Sequence, residues 1–303
     1  METTPLSATA QAQLTAYEDY LTLECDLSSA SIRNYLGDVK LFMSWYEQVW
    51  DVTLDFAPDA IATPTVTRYR HYLQTERQLK PASINRYLIS LKRYFAWMNH
   101  ENLVLRDPTQ SVKLVAQVPS PPRHLSDQEE AQLLAAAERG GKQRDITIIV
   151  LMLHTGLRIS EVCHLKWQDV TLNDRSGSLK VWGKRQKYRI VPLNATARAT
   201  LRDYQQQLGA YAEADTVFIS QRTRSQLTPR GLRFIIEKYA QRADIEDLRP
   251  HDLRHRFGYR MAEQVPLHRL AQIMGHDSLD TTTIYIQGTP QDLQQAVESI
   301  AWD

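Results

Sequence analysis

Apolar residues recur at helical spacing almost from the start of the chain. Leu14, Tyr17 and Leu21 give one face to a helix over about Ala8 to Glu24. Ser28 or Ser29 can cap a second helix, striped by Ile32, Tyr35, Leu36, Val39, Phe42, Met43 and Tyr46. A third runs from about Thr65 to Glu76, and Pro81 and Ser83 open a fourth that turns Ile84, Tyr87, Leu88, Leu91, Tyr94, Phe95 and Met98 inward. Four helices on short connections predict a compact bundle. Between Leu105 and His124 the periodicity lapses, and Pro108, Pro119, Pro121 and Pro122 interrupt the backbone as in a semi-rigid connector. The expected division is therefore an N-terminal domain over 1–118, a linker over 119–124 and a second domain over 125–303.

The second domain opens on Ser126 with Glu129 three residues on, a capping-box pattern, ahead of a helix from Asp127 to Arg139. The apolar run Ile146 to Leu153 is broken by His154-Thr155-Gly156-Leu157-Arg158, and a helix restarts over Ser160 to Leu165. An arginine at such a break is held by two packed helices, and Glu161, three residues later, lies near enough to orient it. The pattern then changes to alternation: Leu179 and Val181, the basic tip Gly183-Lys184-Arg185-Gln186-Lys187, then Tyr188, Ile190, Val191 and Leu193 predict a β-hairpin. Helices follow over Ala195 to Leu208 and Pro229 to Arg242, the latter with Arg230 and Arg233 near its start.

Pro250 favours a helix start, and a helix reaching about Gln264 sets His251 and Arg254 on one face. Pro266 fits the first turn of the next, with an apolar stripe of Leu267, Leu270, Ile273 and Met274. Gly275 ends it and leaves His276 at a corner. A last short helix over Leu279 to Ile286 carries Tyr285. Basic side chains and one hydroxyl so spaced can converge on a single anionic group, which is a site for phosphate.

Lysine and arginine number 36 against 35 aspartate and glutamate, so the net charge of +1 identifies no partner. The distribution says more. The first sixty residues are rich in carboxylates, whereas Arg70, Arg77, Lys80, Arg86, Lys92 and Arg93 stand against only Glu76 and Glu101 between Arg68 and Arg106. Such asymmetry suits one face to a polyanion. On the fourth helix Asn85, Arg86, Lys92 and Arg93 are the side chains able to reach a phosphate backbone. Cys25 and Cys163 are far apart and in unlike surroundings, which fits a reducing cytoplasm. There is no signal-peptide pattern at the start, and the run Ile146 to Leu153 is far short of the ~20 residues that cross a bilayer. A soluble, cytoplasmic protein without a membrane partner is expected.

Taken in order, Thr155-Gly156-Leu157-Arg158-Ile159-Ser160-Glu161, Gly183-Lys184, His251-Asp252-Leu253-Arg254-His255, Met274-Gly275-His276 and Tyr285 resemble the tyrosine recombinases, the family of phage integrases and Xer-type recombinases. The match runs through the second domain nearly end to end, in order and in separation. The resemblance implies a mainly α fold, with an N-terminal four-helix bundle that grips DNA and a larger helical catalytic domain holding a small antiparallel β-hairpin or sheet. It implies Tyr285 as nucleophile, Arg158 and Arg254 as clamp on the scissile phosphate, and Lys184 as proton donor to the leaving 5′-oxygen. Lys187 on the same hairpin is a second candidate for that donor. His251 would assist proton transfer, His276 would donate to a phosphate oxygen, and Glu161 would support Arg158.

The chemistry agrees with this residue set. A phenol with a pKa near ~10 is ionised to about one part in a thousand at neutral pH, so it needs a proton acceptor and nearby positive charge. Charge that builds on phosphate oxygens needs preorganised donors, and paired guanidinium N–H groups match phosphate. Tyrosine attack would give a 3′-phosphotyrosine link and a free 5′-hydroxyl, one phosphodiester exchanged for another, so neither ATP nor any other cofactor is expected. The acids near the motifs form no obvious two-metal set, and His276-Asp277 has no companion pair, so no metal is expected either. By resemblance, four protomers on two duplexes would exchange strands at a double-stranded recombination site through a four-way junction, with accessory proteins open. The segment after Gly288, with Leu293, Val297 and Ile300 at helical spacing, could pack on a neighbouring protomer or on its own domain. Two other functions fit the same residues: a type IB topoisomerase, which rejoins the original strand, and a catalytically silent DNA-binding protein.

Overall fold

The computed structural model describes residues 5–49, 56–117, 122–183, 187–276, 279–285 and 298. The chain divides into two compact units, 1–119 and 120–303. The fold is mainly helical with one small antiparallel sheet.

The first unit holds α1 (Ala8–Leu23), α2 (Ser29–Val49), α3 (Thr63–Thr75) and α4 (Pro81–His100). Ser7 Oγ accepts from Ala10 N and caps α1, and prolines occupy the first turns of α3 and α4, where a missing N–H costs nothing. The core is aromatic: Tyr69 meets Phe42 edge-on at 5.0 Å, and Tyr17 meets Tyr94 the same way at 5.0 Å. This geometry sets the positive ring edge against a negative ring face.

The polar residues of α4 mostly have work inside the bundle. Asn85, one of the side chains able to reach a phosphate, is 7% exposed and clamps the Val115 backbone, accepting from its N–H at 2.8 Å and donating to its carbonyl at 2.9 Å. Lys92 Nζ donates to Thr109 O at 2.5 Å. The stretch after α4 therefore folds back along the bundle, with Val104 and Val112 in the core. Its lapse of periodicity marks pinned irregular backbone as well as a boundary. Arg93 donates to Cys25 Sγ at 3.3 Å and lies over the Tyr35 ring. Arg86 pairs with buried Asp38 at 2.7 Å while half of its side chain stays exposed.

The second unit is built around α6 (Gln143–Thr155), whose residues Ile148 to Leu153 are all buried. Around it lie α5 (Asp127–Arg139), α7 (Ile159–His164), α8 (Ala195–Leu208), α9 (Pro229–Arg242) and α10 (Pro250–Ala262), followed by α11 (Leu267–Met274) and α12 (Asp280–Thr283). The capping box of Ser126 and Glu129 starts α5. Arg256 ties α10 to α5, donating to Glu130 at 2.6 Å and also to Asp127. The sheet runs β1 (Val170–Leu172), β2 (Gly177–Trp182), β3 (Tyr188–Pro192), antiparallel throughout. The hairpin was legible in the alternation; β1 was not, because three residues are too few to show a period. No described helix is long and apolar enough to cross a membrane.

Candidate active site

Two helix ends create the site. At the first, α6 stops at Gly156, whose φ of 62° lies in the left-handed region that favours glycine. Two residues later Arg158 stands at the N-cap of α7, its backbone N–H held by Glu161 Oε2 at 2.7 Å and its guanidinium by Glu161 Oε1 at 3.0 Å. At the second, α11 stops at Gly275, again left-handed with φ 65°. The last carbonyls of a helix have no partner within it and carry partial negative charge. Here three consecutive ones accept from arginines: Ile273 O from Arg189 at 2.8 Å, Met274 O from Arg254 at 2.9 Å and Gly275 O from Arg158 at 2.9 Å. The end of α11 thus gathers three guanidiniums at one spot.

They differ in how their charge is balanced. Arg189 grips both oxygens of Glu161, at 2.8 and 2.9 Å, and Glu161 also holds Arg158. Burial alone would raise the Glu161 carboxyl, but Arg189 and then Arg158 hold it below the usual range. Arg254 is only 1% exposed and donates to two carbonyls, of Met274 and Gly156, with no carboxylate paired to it among the described residues. Burial, reinforced by Arg158, brings its pKa down to about 10, so it remains a cation at neutral pH. A buried charge with only carbonyl partners is left short of neutralisation, which an anion would supply.

Tyr285 lies beside this pair. Its hydroxyl is 3.0 Å from His255 Nδ1, its ring is stacked on His276, and it is 7% exposed. Burial lifts the phenol to about 12, partly offset by Arg254. His276 is fixed through Nδ1 to Thr282 Oγ1 at 2.7 Å. His251 faces His255 edge-on at 4.4 Å between ring centres. Burial, then His251 and Arg254, lowers His255 to about 4; burial, then Arg254 and Arg158, lowers His276 to about 4. Both are therefore neutral at pH 7, able to accept or donate. Partial burial and Arg254 also hold His251 low.

The structure thus brings together Arg158, Glu161, His251, Arg254, His276 and Tyr285. Lys184 lies outside the described residues, as does the segment after Gly288 apart from Glu298. Lys187 is described: it is exposed, and its carbonyl accepts from Gly183 N at 2.7 Å, closing the base of the hairpin. Two further residues, to which the motifs alone give no role, belong to the site. His255 sits four positions after His251 and so on the same helical face, a spacing visible in the sequence. Arg189 pairs with Val181 across β2 and β3, on the face where Leu179, Val181 and Val191 are buried, so the alternation pointed it inward. A cavity of about 570 Å³ opens beside Arg158 and His251 and is also lined by Ser160, Arg233 and Arg249.

A family model described as "Phage integrase family" matches residues 123–292, and one described as "Phage integrase, N-terminal SAM-like domain" matches 14–102. The chain belongs to the phage integrase family. It is a tyrosine recombinase by the same comparison: tyrosine recombinase XerD of Ralstonia nicotianae is 32% identical, over 94% of this chain and 92% of its own. Tyrosine recombinase XerC of Pediococcus pentosaceus is 27% identical, over 93% and 95%. Among solved structures, XerH bound to palindromic difH substrate in a post-cleavage complex superposes with a TM-score of 0.74 at 20% identity, covering 99% of this chain and 91% of that one. A lambda integrase dimer bound to a COC′ core site gives 0.72 at 19%, covering 97% of each chain. At these identities the superpositions establish the integrase fold.

Two consequences of this arrangement are measurable. Arg189→Met removes both of its bonds to buried Glu161 and the cover on Ile273 O, and breaking such a buried pair costs about 3 kcal/mol. The thermal midpoint of the catalytic unit should fall by several degrees; an unchanged midpoint would show that the Arg158–Glu161 pair stands alone. The second concerns pH. With folded values of about 4 against ~6.5 in an unfolded chain, His255 and His276 bind fewer protons folded than unfolded between those limits. Their effect on stability is absent above about pH 6.5 and grows as pH falls towards 4. Acidification from pH 7.5 to 5 should lower the melting temperature of wild type more than that of the doubly substituted His255→Asn, His276→Asn protein. Equal slopes would contradict it.

Proposed function

We propose that the protein is a site-specific DNA recombinase that cuts and rejoins double-stranded DNA through a 3′-phosphotyrosine intermediate. One observation bears most of the weight: the Tyr285 hydroxyl is held in the same chain's site, against a neutral imidazole and beside two guanidiniums, of which one is buried with no carboxylate paired to it among the described residues.

In this reading the scissile phosphate completes Arg254 and Arg158, whose N–H groups take its non-bridging oxygens. His276, fixed through Nδ1 by Thr282, donates from Nε2 to the same oxygens. The Tyr285 oxygen attacks phosphorus as its proton passes to the imidazole side of the site, with His251 assisting; the bond to the 5′-oxygen breaks, and that oxygen takes a proton from Lys184, or from Lys187 on the same hairpin. Glu161 keeps Arg158 in place. A second strand's 5′-hydroxyl reverses the steps, so the bond energy is kept in the phosphotyrosine and no ATP is used. The donor set is guanidinium and imidazole, which perform the charge stabilisation a metal would otherwise supply.

XerH is bound to a difH substrate and lambda integrase to a core site, and we take double-stranded DNA as the partner of this chain. For this chain, Lys187, Arg233 and Arg249 are exposed side chains of the catalytic unit suited to phosphates flanking the site. On the first unit Arg86 keeps half of its side chain exposed, and Arg86, Lys92 and Arg93 would each contact DNA alongside their internal bonds. We further assign the chain a tetrameric assembly on two duplexes, exchange through a Holliday junction, a domain division at 119–124 and a cytoplasmic setting.

The test is a nicked suicide duplex drawn from DNA flanking the gene, incubated with protein and chelator and run on a denaturing gel. A protein-linked band is expected. A salt-sensitive shift on a native gel without such a band would reduce the protein to DNA binding.

A further inference from the structure

Gly258 is out of place by ordinary helix rules. It lies in the interior of α10, a helix of 13 residues, is buried, and does not have the positive φ that would require glycine. Alanine is the better helix former there. The reason for the missing side chain is the tyrosine: a Cβ at 258 would lie 2.5 Å from Tyr285 Cζ, 2.6 Å from Cε1 and 2.8 Å from Cε2. Carbon atoms in contact normally keep roughly 3.5–4.0 Å. The phenol end of the ring therefore rests on bare helix backbone, one turn from the imidazole that meets its hydroxyl.

The other sides of the ring are also filled. Tyr259 presents its ring at 84° and 5.2 Å, and the His276 ring lies nearly parallel at 6.3 Å. His255 Nδ1 stands at the open end, 3.0 Å from the hydroxyl. Of these groups only His276 is also assigned to a phosphate oxygen; Gly258, Tyr259 and His255 act on the nucleophile alone.

We propose that the turn of α10 from His255 to Gly258 is a docking seat for the nucleophile, in which Gly258 sets the depth of the Tyr285 ring and His255 fixes the direction of its hydroxyl. The proposal rests on Tyr285 being the nucleophile. Gly258 is a positioning residue; His255 touches the reacting oxygen. A methyl group at 258 would lift the ring by about 1 Å to restore ordinary contact distance, carrying the hydroxyl away from Nδ1. A misplacement of about 1 Å in an attacking group can cost on the order of 10²-fold in rate.

The experiment compares wild type, Gly258→Ala, His255→Ala, His255→Asn and Tyr285→Phe in single-turnover adduct formation on the suicide duplex. Native-gel binding and melting temperature are measured on the same proteins. For Gly258→Ala we expect adduct formation about 10²-fold slower, with DNA binding unchanged and melting temperature equal or higher. A wild-type rate overturns the seat. His255→Ala should slow the reaction and make its rate climb with pH more steeply than wild type, because the phenol then ionises unassisted. His255→Asn, whose side-chain oxygen can accept from the hydroxyl, should recover part of the rate; Asn as slow as Ala would overturn the role given to His255.

A second readout does not depend on cleavage. Tyr285 nitration by tetranitromethane, followed by peptide mass spectrometry, should be several-fold faster in Gly258→Ala than in wild type. Absence of any wild-type adduct would defeat the recombination reading, and equal nitration would defeat the seat, so the two fail separately.

Discussion

Tyr285→Phe is expected to abolish the protein-linked DNA band while leaving the native-gel shift and the fold near wild type. The substitution removes one oxygen. The ring contacts to the Gly258 backbone, Tyr259 and His276 are made by carbon and remain. What disappears is the hydrogen bond to His255 Nδ1, worth about 1 kcal/mol to stability, together with the only atom at this position able to attack phosphorus. The loss should be complete rather than partial, because a missing nucleophile has no weaker substitute. Among the described residues, Tyr259 is the neighbour that could be mistaken for it. Its hydroxyl makes a long bond of 3.5 Å to Pro122 O, and Tyr259→Phe should still capture DNA. A covalent band persisting in Tyr285→Phe would assign the nucleophile elsewhere and with it the roles of the surrounding residues.

The sequence was most informative where a side chain's role follows from local spacing. The capping box at Ser126, the stop at Gly156 and the stop at Gly275 were all legible, since caps and left-handed turns are decided within a few residues. The set formed by Arg158, His251, Arg254, His276 and Tyr285 was visible as motifs, but the reason for its convergence was not. Three carbonyls at the end of α11 gather arginines from α7, β3 and α10, and backbone acceptors leave no trace in residue identity. Arg189 is the example: strand alternation turns it inward, yet only the packing of α7 against the sheet makes Glu161 its inner neighbour.

The opposite limit shows on α4. Asn85 and Lys92 belong to residue types able to contact phosphate, and both also serve the fold: Asn85 holds the backbone of Val115, and Lys92 holds the carbonyl of Thr109. A polar side chain on an amphipathic helix meets whatever packs there, and the segment that packs on α4 has no periodicity by which to foresee it. Gly258 illustrates a third case. Its identity was plain, but a small residue in a buried helix signals close approach without saying by what, and the tyrosine that approaches it lies 27 residues further on.

Arg254→Lys should lower adduct formation by about 10²–10³-fold, the loss seen when one preorganised donor is removed from a developing oxyanion. The change keeps the charge and discards the shape. The guanidinium spans two carbonyls, of Gly156 and Met274, that belong to the ends of different helices, and its planar fork leaves further N–H groups for a phosphate. An ammonium is a point charge with three donors and cannot hold both carbonyls while pairing with two phosphate oxygens. It would also sit at a position 1% exposed, where burial already pulls even the arginine down to about 10. A lysine there would be pushed towards neutrality, and the site would lose part of its charge when free of DNA. Binding at low salt should change little, because the exposed cations around the site are untouched, whereas the cleavage step should slow. That separation distinguishes a group that acts on the transition state from one that merely attracts DNA. Cleavage by Arg254→Lys within tenfold of wild type would mean that charge alone suffices, and the arrangement of arginines at the end of α11 would then have to be explained by folding rather than by chemistry.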